Sequence, residues 1–220
     1  VVEMDGLKLA VRKYRHGGLF RAFTGPFFLD AGRVTSEAEI MLYLRQKGVA
    51  VPAPFAAVIE RLFVVRRLYL VSLFQENAVT LLDYLRACTR MERARAIVGL
   101  AGLLRGLEQA GVYHRDLHLK NVLVTREKRL ILLDFDRAVR KTLLPGDMES
   151  MVRRLGRFAD KMERRGGLRL DRGEKALFLR AYARLSGYDM TEKLKGDEKM
   201  RGWLYRTGWF IESLLFGERT

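Results

Sequence analysis

At 220 residues the chain is long enough for one large domain or two small lobes with a sizeable core, and its 49% apolar share excludes a disordered protein. A net charge of +15 and a pI near 10.3 predict a polyanionic partner: nucleic acid, an anionic membrane surface or a phosphorylated substrate. The single cysteine, Cys88, excludes an internal disulfide and suits a reducing cytosol. No apolar run approaches the roughly 20 residues of a membrane span, no signal-peptide pattern is present, and the start at Val1 suggests a trimmed N-terminus.

The first element is a strand. Leu7, Leu9, Val11 and Lys13 fall on one face by period-two alternation. A lysine at the end of an apolar face needs anions nearby or must snorkel into water. A helix is predicted from Thr35-Ser36 to about Lys47, stopped by Gly48. Two acids on it compete for a cation. Glu37 shares a face with Met41 and Leu44, whereas Glu39 completes a Ser36-x-x-Glu39 capping box, so Glu37 is the candidate.

Val49–Pro54 reads as an extended, proline-punctuated link, followed by strands near Ala56–Val65 and Leu68–Phe74. Gln75-Glu76-Asn77 breaks the apolar pattern before a helix over Leu81–Cys88 with Thr80 as its cap. A long helix over 91–110 carries Ile97, Leu100, Leu104 and Leu107 on one face and ends at Gly111.

Residues 113–136, YHRDLHLKNVLVTREKRLILLDFD, hold the chemistry. Asp116 and Asn121 lie in a loop, the runs Asn121–Thr125 and Leu130–Leu133 form a hairpin about Arg126-Glu127-Lys128-Arg129, and Asp134 follows the second strand. Magnesium prefers oxygen ligands and keeps several waters, so one carboxylate and one amide oxygen on adjoining loops can hold it beside the phosphates of ATP. A carboxylate free of the metal can orient an acceptor hydroxyl and take its proton. Asp116 is therefore the candidate base, and Asn121 and Asp134 the candidate Mg2+ ligands. The order and spacing are those of a kinase catalytic loop and metal motif. In that setting Lys13 becomes the cation that pairs with the ATP phosphates and with Glu37. The break at 75–77 becomes the hinge that reads adenine through its backbone.

Beyond Asp136 the chain is basic: Arg137, Arg140 and Lys141, then Arg153, Arg154, Arg157, Lys161, Arg164 and Arg165 on a helix whose Met151, Leu155, Phe158 and Met162 form a stripe for burial. Helix signals resume near Asp147, too soon for an ordinary activation segment, and further helices are predicted at about Glu174–Leu185 and Lys199–Phe216. The last, with Trp203, Trp209 and Phe210 among basic residues, either closes a core or lies on a membrane surface.

These residues resemble the lipopolysaccharide kinases, the family of 3-deoxy-D-manno-octulosonic acid (Kdo) kinases and inner-core heptose kinases. The similarity covers most of the chain: Arg12-Lys13-Tyr14-Arg15-His16-Gly17-Gly18-Leu19, the Glu37 helix with its Gly48-Val49-x-Val51-Pro52-x-Pro54 link, Gly111-Val112-Tyr113-His114-x-Asp116-Leu117, and Leu133-Asp134-Phe135-Asp136-Arg137-Ala138. The resemblance implies an α+β, two-lobed protein-kinase-like fold, with a small antiparallel-sheet N-lobe over 1–76 and a mainly helical C-lobe over 77–220. It implies ATP-dependent phosphorylation of a Kdo hydroxyl on lipid A, on the cytoplasmic face of the inner membrane. The family's lysine, glutamate, catalytic aspartate, asparagine and metal aspartate carry over onto Lys13, Glu37, Asp116, Asn121 and Asp134. Lipid A and anionic lipids then account for the positive charge.

Three features depart from the pattern. The glycine-rich phosphate loop expected before Leu7 is missing, with at most its exit strand in Val1–Asp5. Arg115 makes the loop triplet His-Arg-Asp, as in protein kinases, and favours a small atypical protein kinase as the alternative; the short segment after Asp136 opposes it. His118 stands where many protein kinases have a lysine, which leans towards a non-protein acceptor. A kinase-fold binding module without turnover is a third reading, opposed by the intact Asp116, Asn121 and Asp134. No aromatic–basic motif supports nucleic acid as the partner.

Overall fold

The computed structural model describes residues 1–15 and 27–194. The Gly17-Gly18-Leu19 segment and the helix expected at Lys199–Phe216 lie outside the described residues.

Strands β1 (Val2–Met4) and β2 (Leu7–Lys13) form a hairpin whose turn residues Asp5 and Gly6 both take positive φ. Strands β3 (Pro54–Leu62) and β4 (Val65–Leu73) form a second hairpin, and the four make one antiparallel sheet in the order β1-β2-β4-β3. Arg12 pairs with Leu70 and Lys13 with Tyr69 across β2 and β4. Directly paired residues share a face, so Arg12 joins Leu70, while Lys13 points with Tyr69 to the opposite side.

Helix α1 (Gly32–Gln46) packs on the Arg12 face; Val34, Ile40, Met41 and Leu44 share one core with Tyr14, Leu68 and Leu70. It starts three residues before the position expected from Thr35-Ser36. The Ser36-x-x-Glu39 cap is not formed: Ala31 is the N-cap, without a side-chain bond, and Thr35 instead bonds back to the Gly32 carbonyl at 3.0 Å. The extra turn buries Val34 completely and brings Arg33 to Asp136, and tertiary contacts of that kind outweigh a local capping preference.

The remaining chain is mainly helical. A short strand β5 (Val79–Thr80) leads into α2 (Leu81–Ala87), whose cap Thr80 accepts from the Asp83 amide at 3.2 Å. Helix α3 (Arg90–Ala110) begins at a Thr89/Glu92 capping box and buries Ile97, Leu100, Leu104 and Leu107. Gly111, at φ 64, stops it. Strand β6 (Val112–Tyr113) pairs with β9 (Val139–Arg140), and β7 (Val122–Val124) with β8 (Leu130–Leu132), so the loop that carries Asp116 and the segment after Asp134 are each bounded by short antiparallel ladders.

Helix α4 (Pro145–Arg164) buries Met148, Met151, Val152, Leu155, Ala159 and Met162, and leaves Arg157, Lys161 and Arg164 exposed, with Arg165 exposed just after it. Its Pro145 start leaves little chain after Asp136, in line with the short segment expected there. Helix α5 (Arg172–Ser186) packs against α3, where Tyr182 donates to Glu108 at 2.7 Å. Antiparallel sheet plus helices make this an α+β, kinase-like fold.

Candidate active site

Two backbone bonds seat the candidate metal ligands next to each other. The Leu133 amide donates to the Asn121 carbonyl at 2.8 Å, extending the β7–β8 ladder so that Asn121 and Asp134 flank its end. Leu132 in turn donates to Ala50 at 2.9 Å, which ties the link after α1 to the strand that carries Asp134. The Asn121 side-chain nitrogen donates to the Asp116 carbonyl at 2.9 Å, leaving its amide oxygen free of that bond and available to a cation.

His114, buried at 1% exposure, joins the loop that carries Asp116 to the strand that leads to Asp134. Its Nδ1 accepts from the Asp116 amide at 3.2 Å, which leaves Nε2 to donate to the Leu133 carbonyl at 3.0 Å. Burial holds its pKa below the ordinary histidine value, consistent with a neutral ring in that tautomer. The role of His114 as a tie was not read from the sequence; its signal is only its place two residues before Asp116.

Glu37 lies where the helix face predicted it, 1% exposed. One carboxylate oxygen accepts from the Phe135 amide at 2.9 Å, and the other from Arg12 at 2.6 Å and from the Tyr14 hydroxyl. Burial pushes the Glu37 carboxyl above its usual range, opposed by Arg12, Tyr14 and the Phe135 amide. Burial also works against the Arg12 charge, but Glu37 and Asp134 more than offset it and the net shift is upward.

The expected Lys13–Glu37 pair is corrected here. Arg12 makes it, and its other terminal nitrogen reaches Asp134 at 2.7 Å. Lys13 is exposed on the opposite face, with its ammonium 5.8 Å from the centre of the Tyr69 ring. Leu7, Leu9, Val11 and Lys13 do share a face, but α1 packs on the other one. Nothing in a short alternating strand says which face meets the helix, so the sequence does not single out Arg12.

Asp116 has a side chain 55% exposed, and the His118 Nε2 lies 3.7 Å from one of its oxygens. The His118 ring stacks on Phe158 of α4, with centroids 4.7 Å apart and planes 16° from parallel. Arg115 is exposed. Asp134 adopts φ 63, a left-handed conformation uncommon for a residue with a side chain. The second carboxylate of the motif, Asp136, is gripped by both Nε and Nη2 of Arg33.

No group of three or more His, Cys, Asp or Glu among the described residues could hold a metal ion. One carboxylate and one amide oxygen, with Asp134 38% exposed, suit a magnesium ion that takes its other ligands from water and phosphate. A tight all-protein site is a poor fit to this donor set.

The kinase-like α+β fold, with its match to a kinase family and its similarity to kinases of a sugar hydroxyl, makes this chain a phosphotransferase with an alcohol acceptor. The chain belongs to the lipopolysaccharide kinase (Kdo/WaaP) family, whose pattern residues 1–182 match. It is 27% identical over 168 residues to the 3-deoxy-D-manno-octulosonic acid kinase of Vibrio parahaemolyticus, covering 74% of this chain and 70% of that protein. It is 30% identical over 191 residues to the protein of the same name from Actinobacillus succinogenes, covering 82% and 78%. With that of Vibrio cholerae it shares 29% identity over 140 residues, spanning 62% of this chain and 59% of the relative.

Proposed function

We propose that the chain transfers the γ-phosphoryl group of ATP to a sugar hydroxyl of Kdo on lipid A. Similarity to kinases named for 3-deoxy-D-manno-octulosonic acid supports the acceptor, and one observation supports the chemistry: Arg12 spans Glu37 and Asp134, aligning strand, helix and metal motif as phosphoryl transfer requires.

In this reading the nucleotide lies between an N-terminal lobe over 1–76 and a C-terminal lobe over 77–220. Arg12 faces the phosphates, held in place by Glu37. Asn121 and Asp134 hold Mg2+, which supplies charge neutralisation at the transferring phosphoryl group. Asp116, on its exposed loop, orients the acceptor hydroxyl and takes its proton. Its exposure leaves room for a bulky lipid-linked sugar.

The exposed Arg157, Lys161 and Arg164 of α4, with Arg165 just after it, give the protein a surface for anionic lipid, each cation near a membrane contributing about 1 kcal/mol. Peripheral attachment through this basic face, at the cytoplasmic face of the inner membrane, is the proposed arrangement; among the described residues no helix is long and apolar enough to cross a membrane.

The test is a transfer assay with radiolabelled ATP, offering Kdo-lipid A, a generic protein substrate and an aminoglycoside side by side. Label on Kdo-lipid A is expected. Label in protein alone would overturn the acceptor assignment.

A further inference from the structure

A partly buried ion pair beside the site, Arg33–Asp136, has no task in the proposed chemistry. Arg33 binds both oxygens of Asp136 through Nε and Nη2, and the two side chains are 26% and 17% exposed. Arg33 precedes Glu37 by one helical turn, so both project from the same face of α1. Its guanidinium is also held against the rings of Phe28 at 5.4 Å and Tyr14 at 5.5 Å, and its charge is reinforced first by the hydrogen bonds to Asp136.

With this pair included, α1 grips three consecutive residues. Glu37 holds Asp134 through Arg12, takes the Phe135 amide directly at 2.9 Å, and Arg33 holds Asp136. The residue at the head of this grip is the strained one. Asp134 sits at φ 63, a left-handed conformation that a residue with a side chain adopts infrequently and that is held here by its surroundings. Releasing Asp136 would free one end of the turn and let Asp134 relax towards an ordinary conformation, moving its carboxylate. Many kinases obtain the same alignment of helix and metal motif from a phosphorylated activation segment. Here α4 begins at Pro145, close behind Asp136, and the alignment is already made by an ion pair.

We infer that Arg33 and Asp136 are positioning residues: a permanent clamp that locks α1 onto the strained metal-binding turn and makes the site competent without covalent modification. This rests on the kinase reading for its catalytic consequence, but not for the clamp itself.

The experiment compares the wild-type chain with Asp136→Asn, Arg33→Gln, the double variant and the milder Arg33→Lys. It measures the Mg2+ concentration for half-maximal phosphotransfer, Mg2+–nucleotide affinity by calorimetry, and amide hydrogen exchange at Phe135 and along α1. Loss of a partner that orients a metal ligand is expected to raise the Mg2+ requirement about 10–100-fold, with kcat recovered at high Mg2+. Faster exchange at Phe135 should accompany it, and the double variant should be no worse than either single one. Arg33→Lys, which keeps the charge but not the fork, should fall between, and it carries the test if the neutral variants do not fold. An unchanged Mg2+ requirement with unchanged Phe135 exchange, or fully additive losses in the double variant, would overturn the clamp. If the wild-type protein transfers no phosphate, the functional reading fails, while Phe135 exchange in the variants still decides whether the clamp exists.

Discussion

Arg12 stands between two carboxylates, 2.6 Å from Glu37 and 2.7 Å from Asp134, while its neighbour Lys13 faces away towards Tyr69. A planar guanidinium can serve two carboxylates at once with fixed geometry, where an ammonium offers a single point of charge. The bridge therefore fixes the spacing between α1 and the metal motif as well as supplying charge.

The first prediction separates these neighbours. Arg12→Ala should lower kcat/KM on the order of 10²–10³-fold, the usual loss for one preorganised donor at a reacting phosphoryl or acyl group. Arg12→Lys should restore part of it. Lys13→Ala should change kcat/KM by no more than about threefold, as for other surface positions. Steady-state kinetics on the three variants decides; a large loss on Lys13→Ala with a small one on Arg12→Ala would return the role to the lysine.

His118 should assist Asp116. Its Nδ1 is enclosed without a hydrogen-bond partner, and its ring is clamped on Phe158. Its other nitrogen, Nε2, lies 3.7 Å from an Asp116 oxygen, so a small movement of the loop would bring the two within hydrogen-bond reach. His118→Ala should lower kcat severalfold with little change in KM for ATP, because the 3.7 Å approach of Nε2 to Asp116 is longer than a hydrogen bond and would tighten only with the acceptor in place. Phe158→Leu, which keeps burial but removes the stack, should give a smaller drop in kcat. Equal kcat in wild type and His118→Ala would remove the histidine from the mechanism.

Much of this site could be read from the chain because its parts are local. The 91–110 helix and its Gly111 stop, the hairpin between Asn121 and Leu133, and the Thr80 cap all rest on patterns a few residues wide, and the structure has them. What the sequence hid depends on distance. Arg12 and Asp134 are 122 positions apart, and Arg33 and Asp136 are 103, so no periodicity links either pair. The start of α1 was misplaced for a related reason. Ser36-x-x-Glu39 is a sound local signal, but Val34 and Arg33 gain burial and an ion pair that only the tertiary fold provides. The parity of β2 is the sharpest case: the alternation was right, and the face that meets the helix was not.

Gly111→Ala tests the junction that feeds the catalytic loop. Gly111 takes φ 64, and a Cβ there would sit 2.8 Å from the Lys141 carbonyl oxygen. The same residue accepts the Lys141 amide at 2.8 Å, where β6 and β9 meet. Alanine must therefore bear left-handed strain and push β9 away from the strand that leads to His114. A loss of about 1–3 kcal/mol is expected, seen as a Tm lowered by several degrees in calorimetry, together with reduced turnover. An unchanged Tm would mean that the β6–β9 junction yields freely.

The Arg93–Glu174 pair predicts an acid-sensitive part of the stability. Arg93 donates to the two oxygens of Glu174 at 2.5 Å and 2.9 Å, to the Arg169 carbonyl at 2.8 Å and to the Leu85 carbonyl, so one side chain joins the end of α2, the start of α3 and the first turn of α5. Both partners are largely buried, at 18% and 15% exposure. The hydrogen bond from Arg93 holds the Glu174 carboxyl below its usual value of 4.5, with burial opposing it. A carboxyl depressed in the folded state binds its proton more readily in the unfolded chain. Its stabilisation is thus fully present above the ordinary glutamate pKa and is lost as pH falls through the folded value. Glu174→Gln should cost about 1.5–3 kcal/mol at neutral pH, because Arg93 keeps its carbonyl contacts but loses its charged partner. The Tm difference between wild type and variant should be largest near pH 7 and shrink as pH falls from about 4.5 through the lower folded-state value, because the unfolded chain takes up the proton first. Unfolding curves for both proteins from pH 7 to pH about 3 measure it. A difference that stays constant across that range would show that Glu174 contributes shape and not charge.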